Sequence, residues 1–254
     1  MKNNRKRERL GIITCGVLED EVKVLLETLP GVEGVTVLEQ GLHDQPLVLR
    51  EELQKAVDRM EEETEAEAIV LVYGLCSRGT EEVSTKRCRL VITRGHDCLT
   101  ILLGSRKRYA DYMKKNPGTY WYSPGWNKWR KAPGKERFEK MRAEYTEKYG
   151  EEDADYLMEM EQEWMSAYNR ATFVDLGLAV NPEDIEYTKE CAEFLDCDFR
   201  HEKGDPTLLH DLLAGNWDEG RFLVLEPGEA LKGNAKESVV EATACQSCLQ
   251  KSKC

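Results

Sequence analysis

The first hundred residues alternate between short apolar runs and longer stretches with helical periodicity. The runs are short enough for strands, and they occupy 10–14, 35–38, 68–73 and 90–93. Between the second and third runs, apolar residues recur at helical spacing over about 47–63. Strands that alternate with helices form a parallel sheet through right-handed crossovers. The sequence therefore predicts an α/β fold, with an open, mostly parallel, Rossmann-like sheet.

The later part of the chain does not continue this alternation of strands and helices throughout. The whole sequence therefore predicts four segments. Residues 9–105 form the first α/β unit. Residues 106–170 hold four of the five tryptophans and show no clear strand, so we expect 106–180 to be a helical, Trp-rich insertion or lid. Residues 181–231 return to the α/β rhythm and are expected to complete the sheet. Residues 232–254 are expected to be a flexible tail, whose three cysteines are one fewer than a structural zinc site needs: Cys245, Cys248 and Cys254.

Net charge and apolar run lengths restrict the function classes. The formal net charge is −12, which disfavours nucleic-acid binding because the chain would repel phosphates. No segment approaches the roughly 18–20 apolar residues that cross a membrane. The apolar run after the basic start of the chain is not followed by a secretory cleavage pattern. We therefore expect a cytoplasmic protein without nucleic-acid or membrane partners.

Each predicted strand is followed by a cysteine or a histidine. Cys15, His43 and Cys76 follow the first three strands, and His96 and Cys98 follow the fourth. In an open parallel sheet, ligands bind beyond the carboxyl ends of the strands. In a reducing compartment, such residues indicate metal binding or catalysis rather than disulfides. The sequence therefore predicts one metal-binding or thiol-reactive site, with Cys15, Cys76, Cys98 and His96 as metal ligands and His43 beside them.

Glycines and arginines flank these thiols. Gly74, Gly79 and Gly95 allow the tight turns and close backbone approach that a cluster or a bound anion needs. Arg78 and Arg94 are expected to lower the pKa of the thiols and to hold a substrate carboxylate. The alternative for both arginines is a salt bridge to one of the many acidic residues.

Asp97 lies between the histidine and the cysteine that follow the fourth strand. Its carboxylate could orient an imidazole, but we prefer an N-cap role at the start of the next helix. Cys98 would then lie at a helix N-terminus, where the helix dipole favours thiolate.

Three sequence blocks carry a resemblance to a known family. They are YGLCSRG at 73–79, RGHDCLT at 94–100 and PGTYWYSPGW at 117–126. They resemble a bacterial and archaeal family described as a domain of unknown function, and the likeness runs from about residue 9 to 230. That family tends to occur in anaerobes near corrinoid-dependent methyltransferases. The resemblance therefore implies methyl or corrinoid metabolism, with a corrinoid protein or a methyltransferase as partner.

Three hypotheses follow for the thiols. In the first, three thiolates hold an iron–sulfur cluster, or alternatively zinc, which binds a small substrate as in a lyase or transferase. In the second, the chain is a non-catalytic accessory factor that binds metal or a corrinoid protein. In the third, Cys98 or Cys76 is a metal-free nucleophile with His96 or His43 as base. The aromatic surface of 120–129 would face a substrate or, in a homo-oligomer, a second copy.

Overall fold

The computed structural model of the chain describes residues 8–129, 132–234 and 239–245. Its strands are β1 (Leu10–Cys15), β2 (Val32–Leu38), β3 (Ala68–Val72), β4 (Arg89–Thr93), β5 (Thr119–Tyr122), β6 (Arg170–Asp175), β7 (Asp198–Lys203), β8 (Phe222–Leu225), β9 (Glu229–Gly233) and β10 (Val240–Ala244). Its α-helices are α1 (Glu19–Leu26), α2 (Pro46–Glu63), α3 (Cys98–Leu103), α4 (Arg106–Lys115), α5 (Pro124–Lys128), α6 (Lys135–Tyr149), α7 (Glu151–Glu163), α8 (Pro182–Phe194) and α9 (Thr207–Ala214). Over these described ranges, no helix has both the length and the apolar character needed to cross a bilayer.

The chain divides into two compact units. One joins the chain up to Tyr109 with the chain from Asp205 onwards, and the other is Ala110–Gly204. The first unit contains a five-stranded sheet in the order β2-β1-β3-β4-β8 and the hairpin β9-β10. The second contains a three-stranded sheet in the order β5-β6-β7. The units thus divide the chain at other points than the predicted segments 106–180 and 181–231.

The five-stranded sheet confirms the predicted fold class. Strand β1 pairs in parallel with β2 and β3, β3 pairs in parallel with β4, and only β8 runs antiparallel at the edge. All five residues of β3 are buried, as its continuous apolar run indicates. Helix α2 covers the sheet with the face that its periodicity predicts: Leu49, Leu53, Val57 and Met60.

The prediction that 106–170 lacks strands is wrong. Strand β5 lies within the aromatic block, where Pro and Gly suggested turns, and it pairs in parallel with β6. Strand β6 begins at Arg170, within the segment that the sequence assigned to the helical insertion. Helix α7 ends at Glu163, and β6 is almost wholly buried. The second unit is therefore an α/β layer with its own parallel sheet, and not a helical insertion.

The last two predicted segments also differ from the structure. Strand β7 pairs with β6 in the second unit, so only the end of 181–231 completes the main sheet, through β8. The described part of the expected tail forms the antiparallel hairpin β9-β10, because Leu231 and Val240 are buried in the core. Cys245 is also buried, and the other two tail cysteines lie outside the described residues.

A single carboxylate joins helix α2 to the segment that precedes β4. Glu61 accepts hydrogen bonds from the backbone N–H groups of Lys86, Arg87 and Cys88 at 2.7–3.1 Å. The buried Cys88 thiol lies 3.5 Å from the same carboxylate, and burial together with this charge raises the pKa of Cys88 to about 12. Cys88 is therefore a structural residue, and Glu61 sets the point at which β4 enters the sheet.

We expect Glu61→Ala to lower the free energy of unfolding by about 2–3 kcal/mol, because it leaves backbone donors without their charged acceptor. Urea unfolding followed by circular dichroism measures the loss. The matched control is Glu63→Ala, at an exposed position of the same helix, which should change the value by less than about 0.5 kcal/mol. Equal effects of the two variants would contradict this role of Glu61.

Candidate functional site

The carboxyl ends of three neighbouring strands carry three cysteines. Cys15 ends β1, Cys76 follows β3, and Cys98 begins α3 after β4. The order β2-β1-β3-β4 places the topological switch point between β1 and β3, since their connections leave towards opposite sides. Open α/β sheets bind ligands at this crevice. Cys15 therefore ends one of the two strands that border this crevice, and Cys76 follows the other.

The three thiols lie within electrostatic reach of one another, and we call them the thiol cluster. Burial, together with repulsion from the Cys15 sulfur, raises the pKa of Cys76 to about 12. Burial also raises the pKa of Cys98 well above its usual value, with added repulsion from Cys76, Asp97 and Cys15. The pKa of Cys15 is raised by burial as well. The structure thus brings together the three cysteines that the sequence singled out.

The expectation of lowered thiol pKa values is wrong. Burial outweighs the influence of the arginines and of the helix start, so the metal-free thiols are protonated at neutral pH. Helix α3 has only six residues, which leaves little dipole to favour a Cys98 thiolate. All three cysteines are nevertheless half-exposed as residues. Their sulfur atoms are enclosed by protein, while part of each residue remains accessible to solvent.

Backbone hydrogen bonds between the segments after β3 and β4 fix two of the cysteines. The amide of Leu75 donates to the Gly95 carbonyl, and the amide of Cys76 donates to the His96 carbonyl, both at 2.8 Å. A Cβ atom at Gly74 would lie only 2.6 Å from the Asp97 nitrogen, so only glycine allows this approach. Gly74 therefore allows the segments after β3 and β4 to pack closely against each other.

Cys76 begins a left-handed turn, which consists of Cys76, Ser77 and Arg78. Their φ angles are 45°, 54° and 67°, and none of the three is glycine. The turn is closed by a hydrogen bond of 2.9 Å from the Gly79 amide to the Cys76 carbonyl. Left-handed backbone costs about 1–2 kcal/mol for each such residue. Strain of this kind persists only where surrounding contacts impose it, and it clusters at functional sites.

The two arginines flanking the thiols are engaged elsewhere. Arg78 forms a bidentate ion pair with Glu81, at 2.7 and 3.0 Å, on the protein surface. The Arg94 guanidinium donates to the carbonyls of Glu219, Phe222 and Val240 at 2.6–3.0 Å. Arg94 thereby ties the end of β4 to β8 and β10. The salt-bridge alternative is right for Arg78, and Arg94 has a structural role.

The two histidines differ from the cysteines in their surroundings. His96 is exposed, and its backbone carbonyl supports Cys76. His43 lies on a short 3-10 turn after β2, with its side chain 43% exposed and Nε2 3.4 Å from Asp44. The structure therefore separates a thiol cluster from two solvent-facing imidazoles.

Asp97 caps helix α3, as predicted. Its Oδ1 accepts hydrogen bonds from the amides of Leu99 and Thr100 at 3.0 and 3.4 Å. Its Oδ2 accepts a hydrogen bond of 3.0 Å from the hydroxyl of Tyr109. Burial raises the pKa of Asp97 despite these hydrogen bonds. Tyr109, which sequence reasoning missed, therefore holds the cap residue that precedes Cys98.

Tyr73 is a second residue that sequence reasoning missed. It directly follows β3, it is 2% exposed, and burial with repulsion from Cys15 and Cys76 raises its pKa well above the usual value. Its hydroxyl lies beside the Cys15 thiol but forms no well-aligned hydrogen bond within the described chain. The hydroxyls of Thr93 and Thr100, at the same edge, are likewise buried without such a partner. The position of Tyr73 directly after a predicted strand is the sequence feature that could have placed it in the site.

The side chains of the thiol cluster are not at metal-coordination distances from one another in this structure. Among the residues that the structure describes, no three Cys, His, Asp or Glu side chains are placed to hold one metal ion. The thiol cluster would have to change side-chain rotamers to close on a metal, because its members are near one another but not at coordination distance.

We expect Ser77→Gly to raise the free energy of unfolding by about 0.5–1 kcal/mol, because glycine relieves left-handed strain that exceeds its entropic cost. Ser77→Ala is the control, since alanine keeps the strain, and it should change stability by less than about 0.5 kcal/mol. Urea unfolding of both variants tests this. A destabilised glycine variant would show that the turn is not strained.

Comparison with known proteins gives one match. A family model described as "Protein of unknown function (DUF1638)" matches residues 37–213. Cys76 and Cys98 lie inside this range, and Cys15 precedes it. Neither the curated proteins nor the solved structures gave a match. The family model covers more than half of the chain and confirms the resemblance to an uncharacterised domain family, so the chain belongs to the DUF1638 family.

Proposed function

We propose that the thiol cluster binds a metal centre, with an iron–sulfur cluster as the first choice and zinc as the alternative. The observation that carries this proposal is the convergence of Cys15, Cys76 and Cys98 at the carboxyl edge of neighbouring strands. Thiolates are soft ligands that favour iron–sulfur clusters and zinc over hard cations. The switch-point position is where open α/β sheets bind small molecules.

The chemistry of the enclosed thiols supports a cationic occupant. Thiolates placed together repel one another, which is why Cys15 raises the pKa of Cys76, and both of them raise the pKa of Cys98. A bound metal reverses this balance by supplying positive charge, and it releases the thiol protons on binding. The cluster therefore suits either protonated thiols or thiolates on a metal.

The ligand count supports an open coordination position. His96 is exposed, whereas the three thiols are enclosed, so the proposal assigns the three thiolates as the protein ligands. Three protein ligands leave one position for a substrate or water, as in catalytic rather than structural sites. The orphan hydroxyls of Tyr73, Thr93 and Thr100 offer hydrogen bonds to such a substrate. We propose a small molecule with oxygen or nitrogen acceptors as that substrate.

The cellular context stays a proposal as well. Every cysteine in the described part of the chain is a free thiol, which suits the reducing cytoplasm. The link to methyl or corrinoid metabolism, with a corrinoid protein or methyltransferase as partner, rests on the family resemblance alone. This link remains a prediction. Its chemistry would require a metal with an open coordination position.

We expect anaerobically purified protein to contain iron and sulfide, or zinc, in stoichiometric amounts. Elemental analysis, sulfide analysis and visible absorption measure this. Cys15→Ser, Cys76→Ser and Cys98→Ser should each lose most of the metal, because a third thiolate is missing. Cys197→Ser is the matched control, since Cys197 is another half-buried free thiol, in the second unit, and its loss should leave the metal unchanged. Metal-free wild-type protein after reconstitution with iron and sulfide, or with zinc, would contradict the proposal, as would full metal in the three cluster variants.

A further inference from the structure

The second unit contains a cleft of about 330 Å³ that plays no part in the thiol chemistry. It is lined by the start of α6, the end of α7, the turn that follows α7, and residues of β5, β6 and the end of α8. Its volume lies at the lower end of the range for small-molecule sites, which is roughly 300–1,000 Å³. We call it the aromatic pocket, after the side chains that form its wall.

Three aromatic rings form that wall. Tyr120 and Tyr168 pack edge to face with centroids 5.3 Å apart, and Trp164 lies 5.7 Å from Tyr168 and 6.1 Å from Tyr120. Trp164 is 38% exposed, although a ring of this size is normally buried. The pocket therefore offers aromatic surface to a planar group, which aromatic rings bind by stacking or edge contacts.

Two arginines give this pocket positive charge. The Arg137 guanidinium lies over the Trp164 ring, 6.0 Å from its centroid. Arg170 donates from Nη1 to the Asn116 side-chain oxygen, while its Nε is buried without a hydrogen-bond partner in the described chain. Ion pairs elsewhere in the described ranges engage many of the arginines, but none includes either of these two. Glu161 also lines the pocket, where it accepts a hydrogen bond of 3.4 Å from Trp164 Nε1.

The start of helix α6 adds to this positive potential. Its N-cap is Gly134, which has no side chain to accept the first amide groups of the helix. Both Gly134 and Arg137 line the pocket, so the start of the helix and the guanidinium belong to the same wall. The N-terminal end of a 15-residue helix carries a partial positive charge that favours anions.

We propose that the aromatic pocket binds a small molecule that carries a carboxylate or a phosphate on a planar aromatic ring. The rings of Tyr120, Trp164 and Tyr168 would contact the planar part. Arg137, Arg170 and the start of α6 would bind the anionic group, because guanidinium forms paired hydrogen bonds with carboxylate or phosphate oxygens. The proposal is independent of the metal centre, since every lining residue belongs to the second unit.

Isothermal titration calorimetry on the full chain, paired with tryptophan fluorescence, tests this proposal. The probes are phenyl phosphate, indole-3-carboxylate, neutral indole and inorganic phosphate. We expect phenyl phosphate or indole-3-carboxylate to bind at millimolar concentration or below, and the tighter of the two identifies the anionic group. Indole and inorganic phosphate should each bind at least about tenfold more weakly, because each lacks one of the two recognised parts.

Matched variants assign the binding to this pocket. Arg137→Gln should weaken the anionic ring ligand by about tenfold or more, because it removes a charged donor. Arg142→Gln is the control on the same helix, where Arg142 pairs with Asp155 at 2.7 Å, and it should leave binding unchanged. Circular dichroism verifies that both variants are folded. Absence of binding by both anionic rings, equal binding of indole or inorganic phosphate, or equal effects of the two variants would each overturn the proposal.

Discussion

The parallel hydrogen-bonding between the segments after β3 and β4 is the constraint on which the thiol cluster depends. The Leu75 and Cys76 amides continue the ladder beyond the strands, and the missing side chain of Gly74 lets the backbone of Asp97 approach. This places Cys76 and Cys98 on neighbouring segments whose spacing is set by backbone groups and not by flexible side chains. The left-handed turn at Cys76 is then imposed by its surroundings, which is how a folded chain maintains local strain.

Much of this arrangement was predictable because it follows from short-range patterns. The continuous apolar run of β3 and the helical spacing of α2 determine a parallel sheet, and the sheet brings the ends of its strands to one edge. The positions of Cys15, Cys76 and Cys98 follow from that geometry alone. Tyr73 was missed because a tyrosine at a strand end is usually a packing residue, and only its burial beside a thiol distinguishes it.

The features that sequence reasoning missed depend on distant partners. Strand β6 resembles the end of a charged helix until its pairing with β5 and β7 is known. Arg94 follows β4 directly, yet its guanidinium is held by carbonyls more than a hundred residues later in the chain. Proximity in sequence to a thiol therefore gave the wrong role, because a long side chain binds whichever acceptors the fold brings to it. The raised pKa values of the three thiols could not be predicted for the same reason, since they depend on burial, which the fold determines.

The two candidate sites handle charge in opposite ways. In the first unit, the arginines flanking the thiol cluster are committed to Glu81 and to backbone carbonyls, so neither of them balances negative charge on the sulfurs. In the proposed metal site, the positive charge would come with the occupant, which favours a metal over an anion. In the second unit, arginines without carboxylate partners in the described chain line an apolar wall, where the proposed anionic ligand would supply the counter-charge. The net negative charge of the whole chain therefore does not determine which ligand either site favours. The ligand charge depends on whether the arginines near each site already have partners.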